Sequence, residues 1–424
     1  MENNKFNTRL WLRIALINFC VVALAGITLR YKINFPLPLL NQKNLLHGHS
    51  HFAFSGWVAL ALMALMVNYL QQQKVLINYR RYHQILIANC IAAYGMLATF
   101  IVQGYSVYSI AFSTLSILVS YFFIFQVWRD LRGIKDDSYA PHWFKASLIL
   151  WAISSVGAFA LAYLMANRIL IQDYYFAASY FFLHFQYNGW FLFACFGLLF
   201  SHLYNKNFLT LVPMTKKLFI MMAISVGPTF FLSILWLKLP FALHLVADIS
   251  ALLQLVILFY FVSILLLIKK SVLPELTKST RNLWVLAAAA FILKIVLQMF
   301  STIPILSTYA FGFRAIVIGF LHLSFLGIIS FFIIGFMNQA LHVTHRELSR
   351  SGVMVFIAGV LLQEIMLMMQ GLEAIEFPPL PYADVILFFS AVLIGMGLIS
   401  ITRSTFFLKG TEQSVLAVQS HPEH

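Results

Sequence analysis

The sequence predicts an all-α integral membrane protein of twelve transmembrane helices, with both termini cytoplasmic. Three observations carry that prediction. Of the 424 residues, 61% are hydrophobic and 10% charged, where soluble domains average about 25% charged; mean hydropathy is +0.86. Twelve apolar runs are each long enough to cross a hydrocarbon core of ~30 Å at about 1.5 Å per residue. Lysine and arginine between the runs fall unequally, with 21 on one side and six on the other. By the positive-inside rule the richer side is cytoplasmic.

Taken in order, the first run, 9–30, follows Met1–Arg9 and is longer than the apolar core of a cleaved signal. It ends outside at Arg30 and Lys32. The second, 46–71, returns to Lys74, Arg80 and Arg81. Runs 83–103 and 105–128 form a hairpin that ends at Arg129, Arg132 and Lys135. Run 143–166 leads out to Arg168, and 173–202 leads back to Lys206. Runs 216–236 and 240–268 lie between Lys216–Lys217 and Lys269–Lys270. Runs 281–302 and 312–341 follow, the latter entering after Arg314 and ending before Arg346. Runs 351–371 and 382–402 complete the set. The outer loop between them carries Glu373, Glu376 and Asp384 and no basic residue. The chain reads as one domain, 1–410, with a polar cytoplasmic tail, 411–424, that holds His421 and His424. A net charge of +14 in such a chain is loop charge that sets topology, not a nucleic-acid surface. Cys20, Cys90 and Cys195 lie inside apolar runs without metal or redox spacing and read as packing residues.

Within this frame one phrase recurs. His51-Phe-Ala-Phe-Ser-Gly56-Trp57, His184-Phe-Gln-Tyr-Asn-Gly189-Trp190 and His322-Leu-Ser-Phe-Leu-Gly327-Ile328 are spaced by 133 and 138 residues. They fall on helices two, six and ten, which run in one direction, so the histidines share a depth in the outer half of the membrane. A histidine in hydrocarbon needs a partner, and a neutral imidazole ligates metals and haem iron. The glycine five residues on leaves open helix surface where a flat macrocycle or another helix can approach.

His47, His49 and His51 form the densest cluster. On a helix His47 and His51 share a face and His49 points elsewhere; in a loop, His47 and His49 could bind copper or face water. His244 and Asp248 share a face of helix eight and are candidates for a proton-handling pair or a polar contact. Lys294 and Gln298 share a face of helix nine; Glu364 on helix eleven is a candidate proton carrier or a partner for Lys294. Tyr187 is close enough to share the site of His184. His83, His142, His202, His342 and His345 stand at cytoplasmic helix ends.

The twelve helices, the threefold repeat of four, and the outer-half histidines of helices two and ten resemble the catalytic subunit of the haem-copper oxidase superfamily, which includes cytochrome oxidases, quinol oxidases and nitric oxide reductases. The resemblance implies a pseudo-threefold (3 × 4) bundle and a low-spin b-type haem. Its axial ligands would be His322, with Gly327, and either His47 or His51, with Gly56. It places His184 as a copper ligand, so that His47, His49, His51, His184 and His322 are the metal-ligand candidates. It also implies a cytochrome or quinol electron donor and a bacterial inner membrane. The pattern departs from the family at three places. Helix seven has no histidine, Phe320 stands where the high-spin haem ligand would be, and the arginine pair between helices eleven and twelve is absent. The oxygen-reducing centre is therefore incomplete. Nitric-oxide-response membrane proteins of the NnrS type, described as binding haem and copper, are similar in helix count and in a histidine-rich helix two. The expected role is electron transfer or nitric oxide or oxygen handling. The rival classes are a transporter, to which buried Lys294, Glu364, Asp248 and His244 would be suited, and a haem-free scaffold or assembly subunit.

Overall fold

The computed structural model describes residues 6–74, 78–134, 137–205, 211–342, 348–373, 378 and 380–406. The tail 411–424, with Lys5, Lys135, Lys206, His345, Arg346, Glu376 and Lys409, lies outside the described residues. Among those described there is no strand. The helices are α1 Thr8–Asn34, α2 Gln42–Gln72, α3 Tyr79–Gln103, α4 Val107–Leu131 and α5 Ala140–Ala166. Next come α6, 172–205, and α7, Val212–Ser225. They are followed by α8 Phe241–Glu275, α9 Lys278–Phe300, α10 Arg314–Gln339, α11 Arg350–Glu373 and α12 Ala383–Phe406. A short helix, Pro304–Gly312, precedes α10.

Ten of these helices are long and apolar enough to cross a membrane, which makes this a multi-pass membrane protein. Leu24, Phe122, Phe125, Phe259 and Leu267 stand exposed on their outer faces, as lipid-facing side chains do. Two of the twelve predicted runs depart from that test. α6 is helical throughout but carries His184, Gln186 and Asn188 at its centre, and these lower its apolar character. The run 216–236 is not one helix. It breaks at Gly227–Pro228, and the 3-10 turn Pro228–Ile234 leaves α7 at 51°. Proline has no N–H to donate and its ring crowds the preceding turn, so the chain bends there.

The packing repeats every four helices. The middle of α2 packs on α1, that of α6 on α5, and that of α10 on α9. Further on, α3 packs on α4, the turn after α7 on α8, and α11 on α12; α12 also closes against α1. Small residues set the closest of these approaches. A Cβ on Gly397 would lie 2.5 Å from the Phe356 backbone nitrogen, so α11 and α12 touch main chain to main chain.

The recurring phrase has a recurring conformation. Immediately after or close behind each histidine the helix widens into a π turn: Ala53–Ala59 in α2, Phe185–Phe191 in α6 and Leu323–Ser330 in α10. A π turn displaces backbone carbonyls from their i+4 donors, and in hydrocarbon those carbonyls need other partners. In α2 they have them. Asn18 Nδ2 donates to Gly56 O at 2.8 Å, and Asn89 Nδ2 donates to Ser55 O at 3.0 Å. The Tyr94 hydroxyl holds Asn18 in place by donating to its Oδ1 at 2.7 Å.

At the level of the π turns the three helices seal together. Phe54 and Phe325 meet with ring centroids 4.4 Å apart, and Phe191 lies 5.8 Å from each. Trp57 Nε1 donates to Ser330 Oγ at 2.9 Å, which ties α2 to α10.

Candidate functional site

Above that seal, towards the predicted outer face, the same helices are less buried. Leu45, Gly48 and Phe52 are the buried residues of Gln42–Phe52, and Ala178 and His184 those of Gln172–His184. Arg314–His322 has none. Below, all of Phe185–Phe191 is buried, as is nearly every residue from Leu60 to Leu70. These outer segments are therefore less completely buried than the inner ones.

His322 ends the outer segment Arg314–His322. Its Nδ1 lies 3.0 Å from Ile318 O. His49 Nδ1 lies 3.1 Å from Val22 O, with the imidazole against Gly26 of α1. A carbonyl only accepts, so each Nδ1 carries the proton and each Nε2 keeps its lone pair. Neither Nε2 has a hydrogen-bond partner among the described residues. His49 and Arg30 are the ionisable groups that act on His322. Arg30 in turn lies within electrostatic reach of Arg314 and Asp384. Gln370 Nε2 and Asn34 Nδ2 hold Asp384, each at 3.1 Å, through its Oδ1 and its backbone O respectively.

On α2, His49 and not His47 or His51 is the histidine on the side of His322. His47 and His51 do share a face, but it looks at α3. His51 stacks on Phe100 at 4.4 Å, and His47 meets the edge of Tyr105 at 4.8 Å. The face between them, with His49, is the one turned to α1 and His322. Of the two approaches the glycines allow, another helix is the one seen at Gly327: a Cβ there would meet Ala290 Cβ of α9 at 3.1 Å, while one on Gly56 would meet the Phe52 ring of its own helix at 2.8 Å.

His184 is in a different state. Its Nε2 lies 2.8 Å from Val226 O, and its Nδ1 lies 3.1 Å from Asn188 Nδ2 and 3.4 Å from Ser233 Oγ. The polarity of this chain is forced. Lys294 only donates, so the Asn188 Oδ1 that it contacts is an acceptor. Asn188 Nδ2 then donates to His184 Nδ1, and His184 Nε2–H donates to Val226 O. That carbonyl is one that the Gly227–Pro228 break frees from the helix, and the Thr229 hydroxyl shares it at 3.1 Å. With both ring nitrogens engaged, His184 has no lone pair for copper. Among the described residues no group of three or more His, Cys, Asp or Glu converges on a metal position.

Lys294 is 3% exposed. It donates also to Gln298 Oε1 at 3.3 Å and lies over the rings of Tyr187, at 5.5 Å, and Phe320, at 5.8 Å. Phe320 is thus flanked by the Lys294 ammonium and by the Tyr187 ring, its centroid 6.3 Å away. Lys294 makes no ion pair with Glu364, whose Oε1 is buried without a partner. The His244–Asp248 pair does not form either: Asp248 is exposed, and no hydrogen bond or ion pair joins the two side chains.

Sequence reasoning named His49 only among the metal-ligand candidates, without the face it occupies, and missed Arg30 and the relay through Asn188. The last had a visible signal, because Asn188 stands four residues after His184 on a helix face. The first two needed the neighbours of α2. No protein-family model and no curated protein matches this chain.

Proposed function

We propose that this protein is a haem-binding membrane protein that carries electrons, with His49 and His322 as the axial ligands. The carrying observation is the matched state of the two imidazoles. Each commits Nδ1 to a backbone carbonyl and leaves Nε2 without a hydrogen bond among the described residues, on a half-buried side chain, which is the arrangement that orients histidine for a metal. Arg30 and Arg314 would hold the propionates from α1 and α10, with Asp384 limiting their combined charge. Bound there, the haem would supply one-electron transfer at a potential set by its neutral imidazole pair and apolar walls. With both His184 ring nitrogens engaged and Lys294 beside Phe320, the role favoured is electron transfer or nitric oxide sensing rather than oxygen reduction.

The proposal includes twelve crossing helices as three units of four, with α6 and the bent α7 counted as spans, both termini cytoplasmic, a bacterial inner membrane and a cytochrome or quinol donor. Its support is the four-helix repeat of packing and the three π turns. The test is a reduced-minus-oxidised spectrum of purified protein. Sharp bis-histidine bands are expected in the wild type and in His47→Ala and His51→Ala, and they are lost in His49→Ala and His322→Ala. Bands that survive His49→Ala but vanish in His51→Ala would move the ligand to the other face of α2.

A second reading, a transporter, is favoured by one observation: the broken α7 beside buried Lys294, since transporters place interrupted helices at their binding sites. Substrate uptake by haem-free protein in liposomes would select it.

A further inference from the structure

The N-terminal segment is tied to the inner ends of α2 and α3 by three side-chain contacts. Phe6 N donates to Gln71 Oε1 at 3.1 Å, Thr8 Oγ1 to Asn68 Oδ1 at 3.0 Å, and Trp11 Nε1 to His83 Nδ1 at 2.8 Å. The buried rings of Phe6 and Trp11 both lean on His83, with centroids 5.1 and 5.8 Å away. An indole N–H only donates. His83 Nδ1 is therefore an acceptor, and its proton sits on Nε2. This is the reverse of His49 and His322, whose Nδ1 faces a carbonyl and carries the proton. A second proton leaves those two bonds intact, but at His83 it sets one N–H against another. Of the three contacts, only this one has a titratable member.

We propose that His83 is an acid-sensitive latch: neutral, it holds residues 6–11 against α2 and α3, and protonated, it releases them. The arriving proton takes the Nδ1 lone pair, so the buried Trp11 N–H loses its acceptor, which is costly. The ionisable groups on the surrounding elements are Arg9 and Arg13 of α1, Lys74 at the end of α2, Tyr79, Arg80 and Arg81 of α3, and Arg129 and Asp130 of α4. None of them acts electrostatically on His83. Asp130, the one carboxylate among them, is taken up by Tyr82, Gln126 and Arg129. No counter-charge therefore holds an imidazolium in place, and the closed latch and the protonated ring exclude one another. Histidine is the side chain whose ordinary titration falls between about pH 5 and 8. The latch is closed in the neutral form, so it holds at the upper end of that range and opens towards the lower end. Opening uncovers Asn68 and Gln71 and frees the start of α1, the helix whose Val22 carbonyl holds His49 further out. The latch needs no ligand and is independent of the haem reading.

The test is hydrogen exchange on the full chain in detergent, followed in the peptide that covers residues 6–13 at about pH 7.5 and about pH 5.5. Rates are normalised to the intrinsic exchange rate at each pH. In the wild type, protection should fall about fivefold or more at the lower value. In His83→Gln it should not change, because the glutamine Oε1 accepts from Trp11 without titrating. In Trp11→Phe the donor is gone, and protection should be low at both values. Wild-type protection that does not depend on pH overturns the proposal. So does an equal fall in the wild type and in His83→Gln, which assigns the release to another group, and so does a fall that extends equally over α9 and α11. If His83→Gln is open at both values, Trp11→Phe decides: pH sensitivity that survives there overturns the latch, and its loss supports it.

Discussion

The neighbourhoods of His322 and His184 carry the same phrase and the same π turn, yet leave their imidazoles in opposite states. His322 spends one nitrogen on its own helix and keeps the other without a hydrogen bond among the described residues, on a half-buried side chain. His184 spends both, one on the carbonyl freed at Gly227–Pro228 and one on Asn188 and Ser233, and is fully buried. The motif sets the depth and the backbone shape. The neighbouring helix sets the chemistry: α7 is broken beside His184 and offers a bare carbonyl, while nothing equivalent faces His322. A repeated motif is therefore a repeated scaffold, and its copies need not repeat a role.

The sharpest way to break the comparison is optical. His322→Ala should abolish bis-histidine bands entirely, whereas His184→Ala should leave their position and intensity unchanged. If His184→Ala removed the bands from a protein that keeps its helices, the two neighbourhoods would not differ as described, and His184 would have to exchange its partners for a metal.

Next in size is the effect of Asn188, which serves two masters. Its Oδ1 accepts from Lys294 and its Nδ2 donates to His184. Asn188→Ala removes the nearest partner of a buried ammonium and of an imidazole nitrogen together, leaving them only Gln298 Oε1 at 3.3 Å and Ser233 Oγ at 3.4 Å. Removing one partner of a buried charge costs about 3–5 kcal/mol, so unfolding in detergent should shift to clearly lower temperature while any haem bands of the residual folded protein keep their position. Asn188→Asp is the informative companion. It keeps the contact with Lys294 and supplies a counter-charge, so it should retain most of the stability that Asn188→Ala loses. Equal losses in the two would show that packing, rather than the relay, accounts for the effect.

Much of this fold was legible beforehand and much of the site was not, for one physical reason. Span positions follow from apolar length, which is local. Ten of the runs, including 9–30, 143–166 and 382–402, match apolar helices within a few residues, except that the helix of 240–268 runs on to Glu275. The break in 216–236 was readable from Pro228, a local signal passed over because the run as a whole is apolar. Which face of α2 looks inward is not local. Helical spacing separates His49 from His47 and His51 correctly, but it does not say that α1 and α10 lie on the side of the single histidine rather than the pair. Nor does a glycine at +5 say whether a cofactor, a ring or a helix will approach it. Gly56 is covered by Phe52, Gly189 by Leu150 and Gly327 by Ala290. The polar residues that stabilise the π turn of α2, Asn18 and Asn89, come from α1 and α3. Asn18→Ala leaves Gly56 O and the Tyr94 hydroxyl unpaired, and about 1–3 kcal/mol of destabilisation should follow, again read as a thermal shift.

The smallest effects distinguish the two neighbourhoods by packing alone. At Gly189 an added Cβ would lie 2.8 Å from Leu150 Cβ, an atom fixed to the α5 backbone, so relief requires the helices to move apart. At Gly327 the nearest atom is Ala290 Cβ at 3.1 Å, and a shift of a few tenths of an ångström restores contact. Alanine also favours the helix over glycine by about 1 kcal/mol, which offsets mild crowding at Gly327 but not overpacking at Gly189, where about 1–3 kcal/mol is expected. Gly189→Ala should therefore lower the melting temperature and Gly327→Ala should barely move it. The second variant tests more than packing. If Gly327 faced a macrocycle, as its position in the repeat suggests, the added methyl would perturb the haem bands. Facing Ala290 it should leave them unshifted, and a shift would return this glycine to the cofactor site.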